Sequence, residues 1–269
     1  MNHLHSRRLS VGYDENLVID ELTVDVPTGQ MTAIVGANGS GKSTLLKTFA
    51  RILSPVEGGA FLDGKVIHAT PTRELARRMS ILSQNASAPE ALTVYELASF
   101  GRYPYRRWLR GSNQDDAAIV SWALHVVGLS DCRERPVASL SGGQQQRAWI
   151  AMTLAQGAPY MLLDEPTNHL DTCHQLEIME LLTRLNQQEG KTVVMVLHDL
   201  NLAARYAHHM IAVKAGRIVA AGTPAEVMTE SHLREVFGIR AKILSDPQSG
   251  APLCVAYLPE TTLDWPALA

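Results

Sequence analysis

Met31-Thr-Ala-Ile-Val35-Gly36-Ala-Asn-Gly-Ser-Gly41-Lys42-Ser43-Thr44 is the stretch on which the reading of this chain turns. Met31–Val35 is a short apolar run, the signature of a buried strand. Gly36, Ala37, Asn38, Gly39, Ser40 and Gly41 follow as a loop. Lys42–Leu53 then places apolar residues at Leu45, Leu46, Phe49, Ile52 and Leu53, the spacing of a helix packed on a sheet. The segment matches G-x-x-x-x-G-K-[ST] between a strand and a helix, the context that separates the motif from a glycine-rich structural turn. Glycines let the backbone curl so that successive N–H groups face an anion. The helix N-terminus adds its partial positive charge. Lys42 is placed to reach β- and γ-phosphates, and Ser43, beside Thr44, offers a hydroxyl to Mg²⁺. The segment therefore predicts a site for ATP and Mg²⁺.

Working outward, short apolar runs alternate with helical periodicity, which predicts an α/β fold with a largely parallel sheet. Leu9–Gln30 alternates and reads as strands with a turn. Ala60–Ile67, Met79–Ser83, Tyr160–Leu163 and Val193–Leu197 read as further strands, and Ile211–Val219 as a hairpin turned at Ala215–Gly216. Between Gln84 and Leu140 the strand signal gives way to helical patterns at Val94–Gly101 and Asp115–Gly128, which predicts an inserted helical lobe. Ile243–Leu258 reads as a last pair of short strands around Asp246–Gly250. The expected organisation is one domain over 1–269: a core with its β subdomain at 1–84 and 141–240, a helical subdomain at 85–140, and a tail at 241–269.

Two further segments carry chemistry. Met161-Leu-Leu-Asp164-Glu165 puts two carboxylates at the C-terminal end of an apolar strand, the edge of a parallel sheet where ligands bind. Acids at strand ends are common, but with the glycine loop upstream Asp164 is expected in the Mg²⁺ shell and Glu165 as the base or orienting group for an attacking water. Leu140-Ser-Gly-Gly-Gln144 reads as a capping box, Ser141 with Gln144, opening a helix through Ala155. Gly142 and Gly143 leave bare N–H groups at that helix start, which also suits a phosphate. One chain already has one complete phosphate loop, so this second place calls for a second phosphate or a second copy.

With Gly36–Ser43, Gln84, Leu140–Gln144, Tyr160–Glu165, Asn168–Asp171 and His198 in this order, nearly the whole chain resembles the nucleotide-binding subunits of ATP-binding-cassette (ABC) transporters. The resemblance implies a P-loop, RecA-like ATPase core with an N-terminal antiparallel β subdomain and an inserted helical subdomain. It implies a homodimer with two ATPs, each between the loop of one copy and Ser141, Gly142, Gly143 and Gln144 of the other. It gives Gln84 a place between Mg²⁺, the γ-phosphate and the helical lobe, His198 a contact to the γ-phosphate, and Asp171 a place in a loop crossing the dimer interface. Tyr13 stands where the family stacks an aromatic on adenine. By themselves, Gln84 would read as a polar strand end and His198 as a hydrogen-bonded histidine at a strand terminus. Asn168-His169-Leu170-Asp171 lacks the small Ser-Ala start of the family loop.

Phe100-Gly-Arg-Tyr-Pro104, Asp164-Glu-Pro-Thr-Asn168, Leu197-His-Asp-Leu-Asn201 and the tail Asp246–Cys254 resemble the ATPases of bacterial importers of ferric siderophores, ferric citrate, haem and cobalamin. This implies a transport-coupled ATP hydrolase on the cytoplasmic face of a bacterial inner membrane. Its partners would be permease subunits, gripped through the helical lobe, and indirectly a periplasmic or lipoprotein binding protein. Arg102–Arg107, with Tyr103, Tyr105 and Trp108, reads equally as part of that grip or as a solvated basic face. Haem or cobalamin uptake is the alternative, then an exporter or a non-transport cassette ATPase.

Composition agrees with a globular enzyme. Hydrophobic residues make up 46% and charged residues 19% of 269, enough to bury a core. A net charge of −3 and a pI near 6.4 give no basic excess for nucleic acid. Cys132, Cys173 and Cys254 have no paired spacing and read as reduced thiols. Met1–Ser10 carries Arg7 and Arg8 without an apolar stretch behind them, and Ala148–Leu163 is broken by Gly157 and Pro159, so neither reads as a secretory signal or a membrane span.

Overall fold

The computed structural model describes residues 3–14, 16–84, 88–106, 114–168 and 170–257. His169, Arg107, Trp108 and the chain from 258 onward, all named above, lie outside the described residues.

The motif strand is β3 (Met31–Val35), at the heart of a six-stranded sheet. Its neighbours are β8 (Thr192–Val196) and β9 (His209–Lys214), both parallel to it. β7 (Tyr160–Asp164) pairs with β8, β6 (Met79–Leu82) pairs with β7, and β10 (Arg217–Gly222) closes the other edge antiparallel to β9. β3, β7 and β8 are buried throughout, as parallel strands covered on both faces must be.

The strands' period of two assigns each side chain to a face. Met31, Ala33 and Val35 of β3, Met161 and Leu163 of β7, and Val193 and Met195 of β8 point into the core shared with the helical lobe. Ile34, Leu162, Val194 and Val196 point the other way. There they meet Leu45, Leu46 and Phe49 of α1 (Lys42–Phe49) and the antiparallel sheet of β1 (Leu4–Tyr13), β2 (Asn16–Val26), β4 (Glu57–Leu62) and β5 (Lys65–Val66). α1 is thus clamped between two sheets, and the loop before it is fixed from both sides.

The helical lobe packs α3 (Val94–Phe100) and α4 (Gln114–Val126) against α5 (Gly142–Ala155). α5 opens with the expected capping box: Gln144 N–H donates to Ser141 Oγ at 3.3 Å and Ser141 N–H to Gln144 Oε1 at 3.1 Å. No described helix is long and apolar enough to cross a membrane.

The structure changes several readings. Lys42–Leu53 is not one helix: α1 stops at Phe49, and Arg51 turns into the left-handed region at φ 61° ahead of Pro55. Ala60–Ile67 is not one strand. Asp63 and Gly64, at φ 52° and 78°, reverse the chain between β4 and β5, as an Asp-Gly hairpin turn requires. α6 (Thr172–Glu189) is a long helix beyond those the apolar spacing predicts; Asp171 caps it by accepting from His174 N–H. Arg102 belongs neither to a solvated face nor to a gripping surface. It is buried, donates to Asp116 at 2.7 Å and to the Ala155 carbonyl at 2.8 Å, and lies over the Tyr105 ring. Two donors satisfied inside the lobe, with the ring contact, make it a brace between α3, α4 and α5.

Phe49 is fully buried where the two sheets meet α1. Phe49→Ala is expected to destabilise the fold by about 3–5 kcal/mol, the cost of a large cavity in a packed core. Urea unfolding followed by circular dichroism measures it.

Candidate functional site

Four neighbouring strands, β3, β8, β7 and β6, end at the same edge. Each is followed there by a polar element: the glycine loop after β3, His198 after β8, Asp164 and Glu165 at β7, and Gln84 after β6. The register brings these separate pieces into one cleft of about 690 Å³, with Tyr13 on its wall and Gly39–Thr44 on its floor.

The loop's shape rests on glycine at two points. Gly36 lies against β9, where a Cβ would stand 2.2 Å from the Val213 carbonyl oxygen. Gly41 holds φ 104° at the start of α1, a conformation that L side chains avoid. No described side chain caps α1, so its first N–H groups are left for an anion. Ser40 Oγ in the same loop is buried without a hydrogen-bond partner among the described residues. The Lys42 ammonium donates to the carbonyls of Gly36 and Ala37, both at 2.9 Å, which spends two of its three N–H donors. Burial pushes its pKa down, against the pull of Glu165 and Asp164.

Asp164 is buried, with 1% of its surface exposed. Burial raises its pKa, opposed chiefly by Ser43, whose hydroxyl donates to Oδ1 at 2.9 Å. Its Oδ2 has no partner among the described residues. A buried carboxylate oxygen without a donor is costly. A hard cation held by oxygen ligands removes that cost, so Ser43 and Asp164 fit Mg²⁺ in chemistry and position.

Glu165 is the hub of the cleft. Oε2 accepts from Gln84 Nε2 at 2.5 Å and from Asn168 Nδ2 at 2.8 Å, while Oε1 pairs with His198 Nε2 at 2.6 Å. The Glu165 side chain is 8% exposed and that of His198 43%, so the acid is held and the imidazole faces solvent. Glu165 also stands at φ 56°, a strained conformation for a non-glycine residue and one that persists only where surrounding contacts fix it.

The structure thus gathers Tyr13, Asn38, Gly39, Ser40, Gly41, Lys42, Ser43, Thr44, Gln84, Glu165 and His198 around one cleft, with Asp164 beneath Ser43. Ser141, Gly143, Gln144 and Asp171 do not line it; Gly142 reaches only a smaller recess beside Gln84 and Glu165. Asn168 as a direct partner of Glu165 was not anticipated. Its signal was the spacing: Asn168 N–H donates to the Glu165 carbonyl in a tight turn, which swings the side chain back onto the carboxylate.

A strand–loop–helix phosphate cradle facing a carboxylate pair defines a nucleotidase, and comparison with known proteins gives its lineage. The family model for ABC transporters matches residues 19–168, more than half of the chain. The chain belongs to the ABC transporter family. As a cassette of that family it binds and hydrolyses ATP. It is 48% identical over 257 residues to the iron(3+)-hydroxamate import ATP-binding protein FhuC of Bacillus subtilis, covering 96% of each chain. It is 46% identical over 252 residues to the ferric enterobactin transport ATP-binding protein FepC of Escherichia coli, covering 94% of this chain and 93% of the other. Its cassette superposes on a metal-chelate type ABC transporter solved in an inward-facing conformation, with TM-score 0.83, 26% identity and coverage of 96% and 98%. It superposes on a dimeric bacterial ABC transporter cassette with TM-score 0.73, 29% identity and coverage of 82% and 98%.

Gly41→Ala tests the cradle. The substitution is strained by about 1–2 kcal/mol at that φ, and its Cβ meets Ile19 Cγ1 at 3.2 Å. ATP affinity, read with a fluorescent nucleotide, is expected to fall at least about tenfold, a loss of about 1.4 kcal/mol.

Proposed function

We propose that this cassette is the ATPase subunit of a membrane importer for ferric siderophore chelates. The observation that carries this is near-full-length identity to proteins named for iron(3+)-hydroxamate and ferric enterobactin transport. Its station would be the cytoplasmic face of a bacterial inner membrane. There it would be held by permease subunits that contact the helical lobe and, through them, serve a periplasmic or lipoprotein binding protein.

The reaction follows from the cleft. ATP lies with its adenine on Tyr13 and its phosphates over Gly36–Thr44, where backbone N–H groups and Lys42 neutralise charge. Ser43, Asp164 and Gln84 would hold Mg²⁺, which supplies further neutralisation of the β- and γ-phosphate oxygens. Glu165, locked by Gln84, Asn168 and His198, takes a proton from the attacking water or orients it in line with the γ-phosphate. His198, exposed to the cleft, would turn toward the γ-phosphate. Phosphoryl transfer gains chiefly from such positioning and electrostatics.

Ser141–Gln144 completes the site of a second copy. It is a helix start with bare N–H groups, and it stands outside its own chain's phosphate cleft. Two copies would pack head to tail, with Asp171 crossing between them, and a solved cassette of this fold is itself dimeric. Closure and reopening of that pair would drive the permease. Residues 1–84 and 141–240 would act as the core, 85–140 as the moving lobe and 241–269 as the tail.

Glu165→Gln is expected to bind ATP normally and to lower steady-state hydrolysis about 10²–10⁴-fold, the usual worth of a positioned general base. Undiminished turnover would remove Glu165 from the chemistry. For the transport role, a tagged Glu165→Gln chain drawn from membranes with ATP is expected to carry a polytopic permease. A strain lacking the chain is expected to lose uptake of radiolabelled ferric siderophore. Unchanged uptake of every ferric siderophore tested would overturn the cargo.

A further inference from the structure

Asp171 and Gly143 lie in segments far apart in sequence, one opening α6 and the other opening α5, and one side chain touches both. His174 stands on the first turn of α6. Its main-chain N–H donates to Asp171 Oδ1 at 2.9 Å, and its ring Nδ1 pairs with the same oxygen at 2.7 Å. The main-chain donor, followed by the ring, holds the Asp171 carboxyl below the usual carboxylate range. An ionised carboxylate only accepts, so Nδ1 carries a hydrogen there. The rest of the ring lies on Gly143. A Cβ at that glycine would stand 2.6 Å from His174 Cδ2, 3.1 Å from Cγ and 3.3 Å from Nε2. Any side chain at 143 would push the ring away, which gives this helical glycine a use that offsets its poor helix propensity, about 1 kcal/mol against alanine.

The two ends of this contact belong to different helices. α6 follows β7 and the acids of the core. α5 is the helix on which α3 and α4 pack. His174 therefore joins two helix starts, and it lines no wall of the phosphate cavity itself.

We infer that His174 is a positioning residue that keeps the Asp171 turn and the Ser141–Gln144 helix start in fixed register, so that both reach a second copy of this chain together. The inference rests on the two-copy reading above. Association of two copies must order every segment it uses, and a segment already held by its neighbour costs less to order. Losing the tether leaves nucleotide capture by one copy intact and weakens the step that joins two.

Two substitutions separate the ends of the tether. His174→Asn keeps a side-chain donor for Asp171 and takes the ring off Gly143; His174→Phe keeps the ring and removes the side-chain donor, leaving the main-chain N–H. Each is made in the full chain carrying Glu165→Gln, and ATP-dependent association is followed by light scattering. Monomer ATP binding is expected to stay within about twofold of the parent, and the ATP concentration for half-maximal association to rise about tenfold, worth about 1.4 kcal/mol. In the chain with Glu165 intact, kcat is expected to fall and the Hill coefficient in ATP to drop toward one. Asp171→Ala combined with His174→Phe is expected to cost no more than the larger single change, as for residues that act as a unit. If both His174 variants associate like the parent, this role falls while the two-copy reading stands. If the Glu165→Gln parent stays monomeric at saturating ATP, the two-copy reading falls and takes this role with it. A lowered melting temperature together with lost monomer ATP binding would make His174 a folding residue and overturn the proposal.

Discussion

The parallel hydrogen-bond ladder that joins β3 to β8, β8 to β7 and β7 to β6 is the constraint on which the rest depends. Ile34 stands opposite Val196, Val196 opposite Asp164, and Leu163 opposite Leu82. A slip of one residue in any pair would send that strand's side chains to the wrong face, because the strand period is two. Here both faces are buried, by a core that includes α5 and α6 on one side and by α1 with the antiparallel sheet on the other, so the register has no slack. The chemistry at the strand ends inherits that rigidity.

What the ladder delivers is a set of groups that would be unfavourable if left alone. Asp164 is buried with one oxygen lacking a donor among the described residues, and Glu165 is held in the left-handed region. Ser43 ties the first turn of α1 to β7 through Asp164, while Gln84, Asn168 and His198 hold Glu165 from separate segments. Each such feature costs stability, and the surrounding packing over-determines it. The return is preorganisation: charge and donors already stand where a phosphoryl group needs them, with little rearrangement left for the moment of reaction.

Most of the fold was legible because its signals are local. Met31–Val35 and Tyr160–Leu163 announced themselves as apolar runs, the first turned into a helix by glycine, and Ser141 with Gln144 announced a cap. The errors were local as well. The Asp63-Gly64 turn lay inside what read as one strand, and Arg51 cut short a helix whose apolar spacing ran on to Leu53. The long helix α6 went unread. Arg102 looked like surface charge because sequence does not show that Asp116 and the Ala155 carbonyl wait for it inside the lobe.

The sequence by itself determined the identity of the chemistry: a phosphate loop, an acid pair, a second helix start suited to a phosphate, and a family order that binds them together. These are strings of residue types at fixed spacing, and spacing survives in one dimension. Only the tertiary structure decided which of them share a cleft. It joined Glu165 to Gln84 and His198, kept Ser141–Gln144 out of that cleft, and laid the His174 ring on Gly143. The reason is physical. Hydrogen bonds and ring contacts between residues thirty or more positions apart depend on strand order and helix packing, and those are set by burial across the whole chain.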